Sequence, residues 1–143
     1  METIKVKYHN KSIPKLAKIK VGDWIDLYAA ESITLSSGDD CIIPLGVSMK
    51  LPEGYEATLA PRSSTFKKYG IIQTNGWGVI DNTFSGENDI WSMPVLAMRE
   101  TTIHEGDRIC QFRIVQKMPE VSFEEVAFME DDTRGGFGST GNR

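Results

Sequence analysis

Val47-Ser48-Met49-Lys50-Leu51-Pro52-Glu53-Gly54-Tyr55-Glu56-Ala57-Thr58-Leu59 carries two short runs in which apolar and polar residues alternate, divided by Pro-Glu-Gly. Alternation with period two turns one face of an extended chain to the core and the other to water, so both runs read as half-buried strands. Proline presets φ and glycine tolerates positive φ, so Pro52-Glu53-Gly54 is turn chemistry and residues 46–60 are expected to form a hairpin. The pattern recurs outward, in Ile4-Lys5-Val6-Lys7-Tyr8 and in segments 24–29, 41–45, 71–74, 78–81, 90–98, 108–115 and 121–128, with Glu105-Gly106-Asp107 as another turn. Many short strands and frequent turns predict an all-β fold, a jelly-roll-like barrel or sandwich. One short helix is expected after Ser63 or Ser64, with Phe66 and Tyr69 on one face and Gly70 as its stop.

The 143 residues suit one domain, with 40% hydrophobic and 25% charged residues close to globular averages. A net charge of -4 argues against a protein that grips nucleic acid by neutralising its phosphates, so no direct nucleic-acid partner is expected. The charge is uneven: residues 1–20 carry six lysines against Glu2, and residues 120–132 carry six acids and no base. Two such segments favour contact with each other or with a neighbour. Cys41 and Cys110 lie in no metal or redox spacing and read as packing residues in a reducing compartment. His9 and His104 have no clustered ligand partners. With neither an apolar leader nor a run of membrane-spanning length, a soluble cytoplasmic protein without a membrane partner is expected.

Four segments carry chemistry. Arg134-Gly135-Gly136-Phe137-Gly138-Ser139-Thr140-Gly141 packs four glycines into eight residues, with a guanidinium, two hydroxyls and one aromatic ring. Such a segment is mobile until captured, and its backbone N–H groups and hydroxyls suit an anion while Phe137 suits stacking on a base. Residues 1–130 therefore read as the β domain and 131–143 as a mobile arm that closes over a site. Pro61-Arg62-Ser63-Ser64 brings a guanidinium and two hydroxyls to the start of the short helix, a second place for an anion. Asn75-Gly76-Trp77-Gly78-Val79-Ile80-Asp81-Asn82-Thr83-Phe84-Ser85-Gly86-Glu87 reads as a hairpin whose backbone can pair with the edge of a flat base, and it delivers Asp81 at a strand end. In Gly106-Asp107-Arg108-Ile109-Cys110-Gln111-Phe112, alternation puts Arg108 and Gln111 on opposite faces, so only one of them is expected at a pocket.

Five segments in order resemble the five motifs of the trimeric dUTPase family: Trp24 to Ala29, Pro61 to Ser64, Asn75 to Glu87, Gly106 to Gln111, and Arg134 to Gly141. The resemblance implies hydrolysis of dUTP to dUMP and pyrophosphate, which limits uracil in DNA and supplies dUMP for dTMP synthesis. It implies that Asp81 activates the water that attacks the α-phosphorus. Asn75, Gly78, Val79 and Ile80 would read uracil, and Phe84 would pack on the deoxyribose. Arg62, Ser63, Ser64 and Gln111 would hold the phosphates, while Arg134, Ser139 and Thr140 close over their far end and Phe137 covers the base. Magnesium would ride mainly on the triphosphate, with Asp26 acting through a water. A homotrimer with sites at subunit interfaces is implied as well.

The chain departs from the family pattern at three places. Asp23-Trp24 stands where Ala-Gly is usual, Phe84 replaces a tyrosine, and the arm is about two residues shorter between its arginine and its aromatic. Trp91 or Trp77 is thus an alternative covering ring. Two other readings compete: a dCTP deaminase-like enzyme, which lacks this arm and the Asp81-to-Glu87 pattern, and a nucleotide-gated regulatory protein that controls an unknown protein partner.

Overall fold

In the computed structural model, residues 1–130 and 132–135 are described. Eleven strands and one helical turn follow in the order β1 (Lys5–Tyr8), β2 (Ile25–Tyr28), β3 (Ile33–Leu35), β4 (Asp40–Pro44), β5 (Val47–Lys50), β6 (Tyr55–Pro61), α1 (Thr65–Tyr69), β7 (Ile71–Gln73), β8 (Gly78–Ile80), β9 (Ser92–Ala97), β10 (Thr101–Ile103) and β11 (Arg108–Gln116). Every ladder is antiparallel. A four-stranded sheet, β2-β11-β6-β8, and a three-stranded sheet, β4-β9-β7, make the walls, with the pairs β1-β5 and β10-β3 at their margins. This is the jelly-roll-like, nearly all-β architecture expected from the alternating runs.

The inward residues of these strands form one core, centred on Trp91, Phe112, Leu27, Ile43 and Leu59, all nearly or fully buried. Trp91 meets Phe112 edge to face with ring centroids 5.2 Å apart, the arrangement favoured by the ring quadrupoles. The helix is a single turn that ends at Gly70, whose φ of 64° is the left-handed conformation expected of a glycine stop. Arg99 donates to the Lys67 and Lys68 carbonyls at that end, satisfying acceptors that one turn of helix cannot satisfy itself.

Three expectations need correction. The turn at Pro52–Gly54 is present, with Gly54 at φ 85° and the Tyr55 N–H donating to the Pro52 carbonyl. Its flanking strands do not pair with each other, however: β5 takes β1, and β6 takes β11 on one edge and β8 on the other. With both edges of β6 filled, the turn is a crossing between sheets. The hairpin expected in Asn75 to Glu87 fails likewise: β8 is the one strand described within that segment, and it pairs with β6, while β7 before it pairs with β9. Residues 121–128 form no strand, and Val121, Phe123, Val126 and Phe128 are exposed. The sheets end on the edge strands β2, β8, β4 and β7, and segment 121–128 pairs with none of them among the described residues.

Candidate active site

β6 organises the site because it neighbours both strands that carry chemistry. On one side Ala57 is opposite Ile80, so β8 delivers Asp81 beside the N-terminal end of β6. A turn follows in which the Phe84 N–H donates to the Asp81 carbonyl, bringing the Phe84 ring back over the same end. Asn75, Gly78, Val79, Ile80, Asp81 and Phe84 line one cavity of about 500 Å³, within the range of small-ligand pockets. The sequence run Asn75 to Phe84 thus becomes a single concave surface.

Asp81 is exposed at the cavity rim, and its Oδ1 accepts the Thr83 N–H at 2.7 Å. That bond, reinforced by the Thr83 hydroxyl, holds its carboxyl below the usual carboxylate range, because both hydrogen bonds favour the charged form. The loop carrying Phe84 is anchored at its far end. Ser48 donates from its hydroxyl to the Glu87 carbonyl at 2.8 Å, His9 Nε2 lies 2.7 Å from the same hydroxyl, and Lys7 Nζ meets the Glu87 carboxylate at 2.6 Å.

A second cluster forms at the opposite end of β6. Arg62 Nε is 3.0 Å from Asp26 Oδ1, and an Arg108 nitrogen is 3.8 Å from Asp26 Oδ2. Gln111 stands directly across from Asp26 and donates to the Pro61 carbonyl at 3.1 Å. Arg62 also reaches the Ser64 hydroxyl at 3.4 Å, and Ser63 is exposed. Arg108 and Gln111 were expected on opposite faces, and a β-bulge overturns this: the register shifts between Arg108 and Cys110, leaving Ile109 without a cross-strand partner. One extra residue reverses the parity and brings both side chains to the face that holds Asp26.

Thr65, which sequence reasoning passed over, locks this cluster. Its buried hydroxyl accepts the Arg62 N–H at 2.9 Å and donates to the Ile109 carbonyl at 2.9 Å. It therefore satisfies the carbonyl that the bulge releases, and leaving such a buried group unpaired costs about 1–3 kcal/mol. A serine–serine–threonine run was the available sign, but the bulge that gives Thr65 its task has no local signature.

The structure divides the expected site residues into two groups. Asp81 lies beyond Ile80, level with Glu56, while Arg62 follows Pro61. Six strand residues at about 3.3 Å each put the two backbones roughly 20 Å apart. Trp91 lines the cavity but is 1% exposed, so it forms wall and core and cannot swing over a base; Trp77 is exposed. Arg134 is exposed, and Phe137, Ser139 and Thr140 lie outside the described residues. Cys110 is fully buried, and burial pushes its thiol far above the ordinary range, as suits a packing residue. Among the described residues no three His, Cys, Asp or Glu side chains gather to hold a metal, and no helix is long and apolar enough to cross a membrane.

Fold and cavity together define a jelly-roll-like protein with a pocket of small-ligand size beside an ionised aspartate. Residues 20–141 match the dUTPase family model, and the chain belongs to the dUTPase family. It is 51% identical over 140 residues to an SPbeta prophage-derived deoxyuridine 5'-triphosphate nucleotidohydrolase of Bacillus subtilis, covering 98% of this chain and 99% of that protein. It is 41% identical over 146 residues to a deoxyuridine 5'-triphosphate nucleotidohydrolase of Finegoldia magna, covering 96% and 99%. The solved structure of Staphylococcus bacteriophage 80alpha dUTPase with dUPNHPP superposes with a TM-score of 0.77 at 22% identity, covering 97% of this chain and 98% of that one.

Proposed function

We propose that this chain hydrolyses dUTP to dUMP and pyrophosphate, limiting uracil in DNA and supplying dUMP. The observation that carries the reading is the cavity itself: the Gly78–Ile80 backbone, the Phe84 ring and the Asp81 carboxylate border one space sized for a nucleoside. The exposed backbone of β8 and the Asn75 amide address the edge of uracil, and Phe84 lies against the deoxyribose. Asp81, ionised throughout the neutral range, orients the water and takes its proton as the water attacks the α-phosphorus. Oδ1 is held by Thr83, which fixes the carboxylate plane and leaves Oδ2 to the water.

Arg62, Ser63, Ser64 and Gln111 hold the phosphate chain, and Arg134, Ser139 and Thr140 close over its far end while Phe137 covers the base. Asp26 grips Arg62 through Nε and Ser64 takes one Nη1 N–H, so the orientation of the guanidinium is preset and its remaining terminal N–H groups can meet the phosphates. The residues suit a magnesium ion carried by the substrate, since Asp26 is already committed to two arginines and can reach the metal only through a water. Such an ion offsets charge on the phosphates and on the departing pyrophosphate.

The two groups of site residues lie too far apart to act on one substrate within one chain. We therefore read the working unit as a homotrimer in which the cavity of one subunit faces the arginine cluster of the next. The exposed apolar side chains of segment 121–128 favour the same arrangement, because a neighbouring subunit can cover the surface that this chain leaves open. A cytoplasmic location suits this nucleotide chemistry. The test is purified protein with magnesium and each deoxynucleoside triphosphate in turn, with pyrophosphate and ammonia measured. Pyrophosphate from dUTP alone is expected; ammonia from dCTP would replace the reading with a deaminase.

A further inference from the structure

Ile71-Ile72-Gln73 places a polar residue where alternation calls for an apolar one. Ile71 is 1% exposed, Ile72 is 41% exposed, and Gln73 at 6% returns to the interior. Its amide is firmly held there. Gln73 Nε2 donates to the Leu59 carbonyl at 3.1 Å and to Asn75 Oδ1 at 2.8 Å, using both of its N–H groups. Gly78 lets β8 lie close beside this network: a Cβ at that position would clash with Leu59 Cβ at 2.9 Å and would meet Gln73 Nε2 only at an ordinary contact distance of 3.5 Å. Gln73 Oε1 is buried with no hydrogen-bond partner among the described residues. A core position that tolerates an unsatisfied oxygen has a use for the other end of the amide.

We propose that Gln73 is a positioning residue for base selection, which sets the Asn75 amide so that Nδ2 faces the cavity as a donor. Asn75 lines that cavity, and an amide has one accepting and one donating end. With Oδ1 turned inward to Gln73, the NH2 group is the end presented to a base. Uracil carries an accepting oxygen at position 4, where cytosine carries a donating amino group. A fixed NH2 donor therefore suits uracil and opposes cytosine, whereas a rotating amide could serve either. Gln73 never touches the base and acts by removing that freedom.

The inference rests on the reading of Asn75 as a base contact, and the experiment separates the two. The ratio of kcat/KM for dUTP over dCTP hydrolysis is measured for the wild type, Asn75→Ala, Gln73→Met and Gln73→Glu, with folding checked by circular dichroism. Glutamate at 73 can accept from Asn75 Nδ2, which turns Oδ1 toward the cavity and favours cytosine. Gln73→Glu is therefore expected to move the ratio toward dCTP by about tenfold or more, and Gln73→Met, which leaves the amide free to rotate, by less. A purely structural role lowers both activities together and leaves the ratio unchanged. If Asn75→Ala also leaves the ratio unchanged, the base-contact reading itself fails. If Asn75→Ala collapses the ratio while both folded Gln73 variants keep it, the positioning role is overturned. Failure of both Gln73 variants to fold overturns it too, in favour of a structural amide.

Discussion

Arg62 Nε and Asp26 Oδ1 are 3.0 Å apart although 36 residues of chain separate them, and both side chains are about a quarter exposed. The contact binds the second and first family motifs across the β2-β11-β6 sheet, where Gln111 on β11 is opposite both Asp26 and Ala60. Holding Arg62 by Nε is an orienting device: it fixes the plane of the guanidinium, Nη1 spends one N–H on the Ser64 hydroxyl, and the remaining terminal N–H groups are left for an anion.

Orientation and charge can be separated at Asp26. Asparagine keeps an accepting oxygen for Arg62 Nε, and alanine does not. Asp26→Asn is expected to hold kcat for dUTP within about threefold of wild type, while Asp26→Ala loses about tenfold or more through misplacement of Arg62. Steady-state kinetics check this, with a magnesium titration alongside. Equal losses in both variants, together with a raised magnesium requirement, would assign Asp26 to a metal-bound water instead.

The Asp81 carboxylate should govern the acid limb of activity. A base works in its ionised form, so activity falls as pH drops through its pKa. The Thr83 hydrogen bonds hold that pKa below the ordinary 3.8, and the acid limb of kcat/KM is displaced downward accordingly. Asp81→Asn should retain dUTP binding while turnover drops by about three orders of magnitude or more. A pH–rate profile and a binding titration with a non-hydrolysable dUTP analogue test both parts. An acid limb near neutrality would point to a different base.

Phe84 is 41% exposed at the cavity wall, close enough to Asp81 in the turn to pack on a sugar. A 2′-hydroxyl against that ring would find neither space nor a partner, so Phe84→Ala is expected to reduce the dUTP over UTP preference by about tenfold. Competition assays with both nucleotides measure this. A fall in dUTP affinity at constant preference would make Phe84 a packing residue only.

Thr65 supports stability as well as geometry. Thr65→Val keeps the shape and removes the hydroxyl, which strands the Arg62 N–H and the Ile109 carbonyl in the interior. A loss of about 1–3 kcal/mol is expected in denaturant unfolding, with Thr65→Ser recovering most of it. Equal stability of the valine variant would mean that water reaches the bulge.

The alternation in Tyr55–Leu59 and Arg108–Val115 was enough to place strands, because each strand's inward residues are set locally by the pleat. Pairing was not legible: whether β5 meets β6 depends on which edges β8 and β11 have already taken, and that is decided by residues far away in sequence. Asp81, Gly78 and Phe84 were readable as neighbours because one continuous segment carries them, whereas Ile42, Leu59, Trp91 and Pro94 in the cavity wall come from other segments of the chain. Arg108 was misplaced because a bulge at Ile109 changes parity without altering composition. Gln73 left a readable sign, a polar residue in phase with buried Ile71, whereas the task of Thr65 exists only once β11 has bulged against α1.

The separation of Asp81 from Arg62 leads to the most discriminating prediction. Asp81 stands at one end of β6 and Arg62 at the other, roughly 20 Å away at the rise of a strand. If each site takes its aspartate from one subunit and its arginine from a neighbour, two dead proteins can repair one another. Asp81→Asn has an intact arginine cluster, and Arg62→Ala has an intact aspartate. Unfolded together in equal amounts and reassembled at random, they place a good aspartate beside a good arginine in about a quarter of sites, half times half. Activity near a quarter of the wild-type value should therefore appear on co-refolding and stay absent when the separately folded variants are simply combined. The same design reaches the arm, since a chain truncated after Asp132 can be co-refolded with Asp81→Asn. Within a single chain, by contrast, every site in a mixed trimer inherits one defect or the other. Mixed trimers verified by mass spectrometry that remain as inactive as their parents would show that one chain completes its own site, and the separation along β6 would then have to close by a movement of the Asp81 segment.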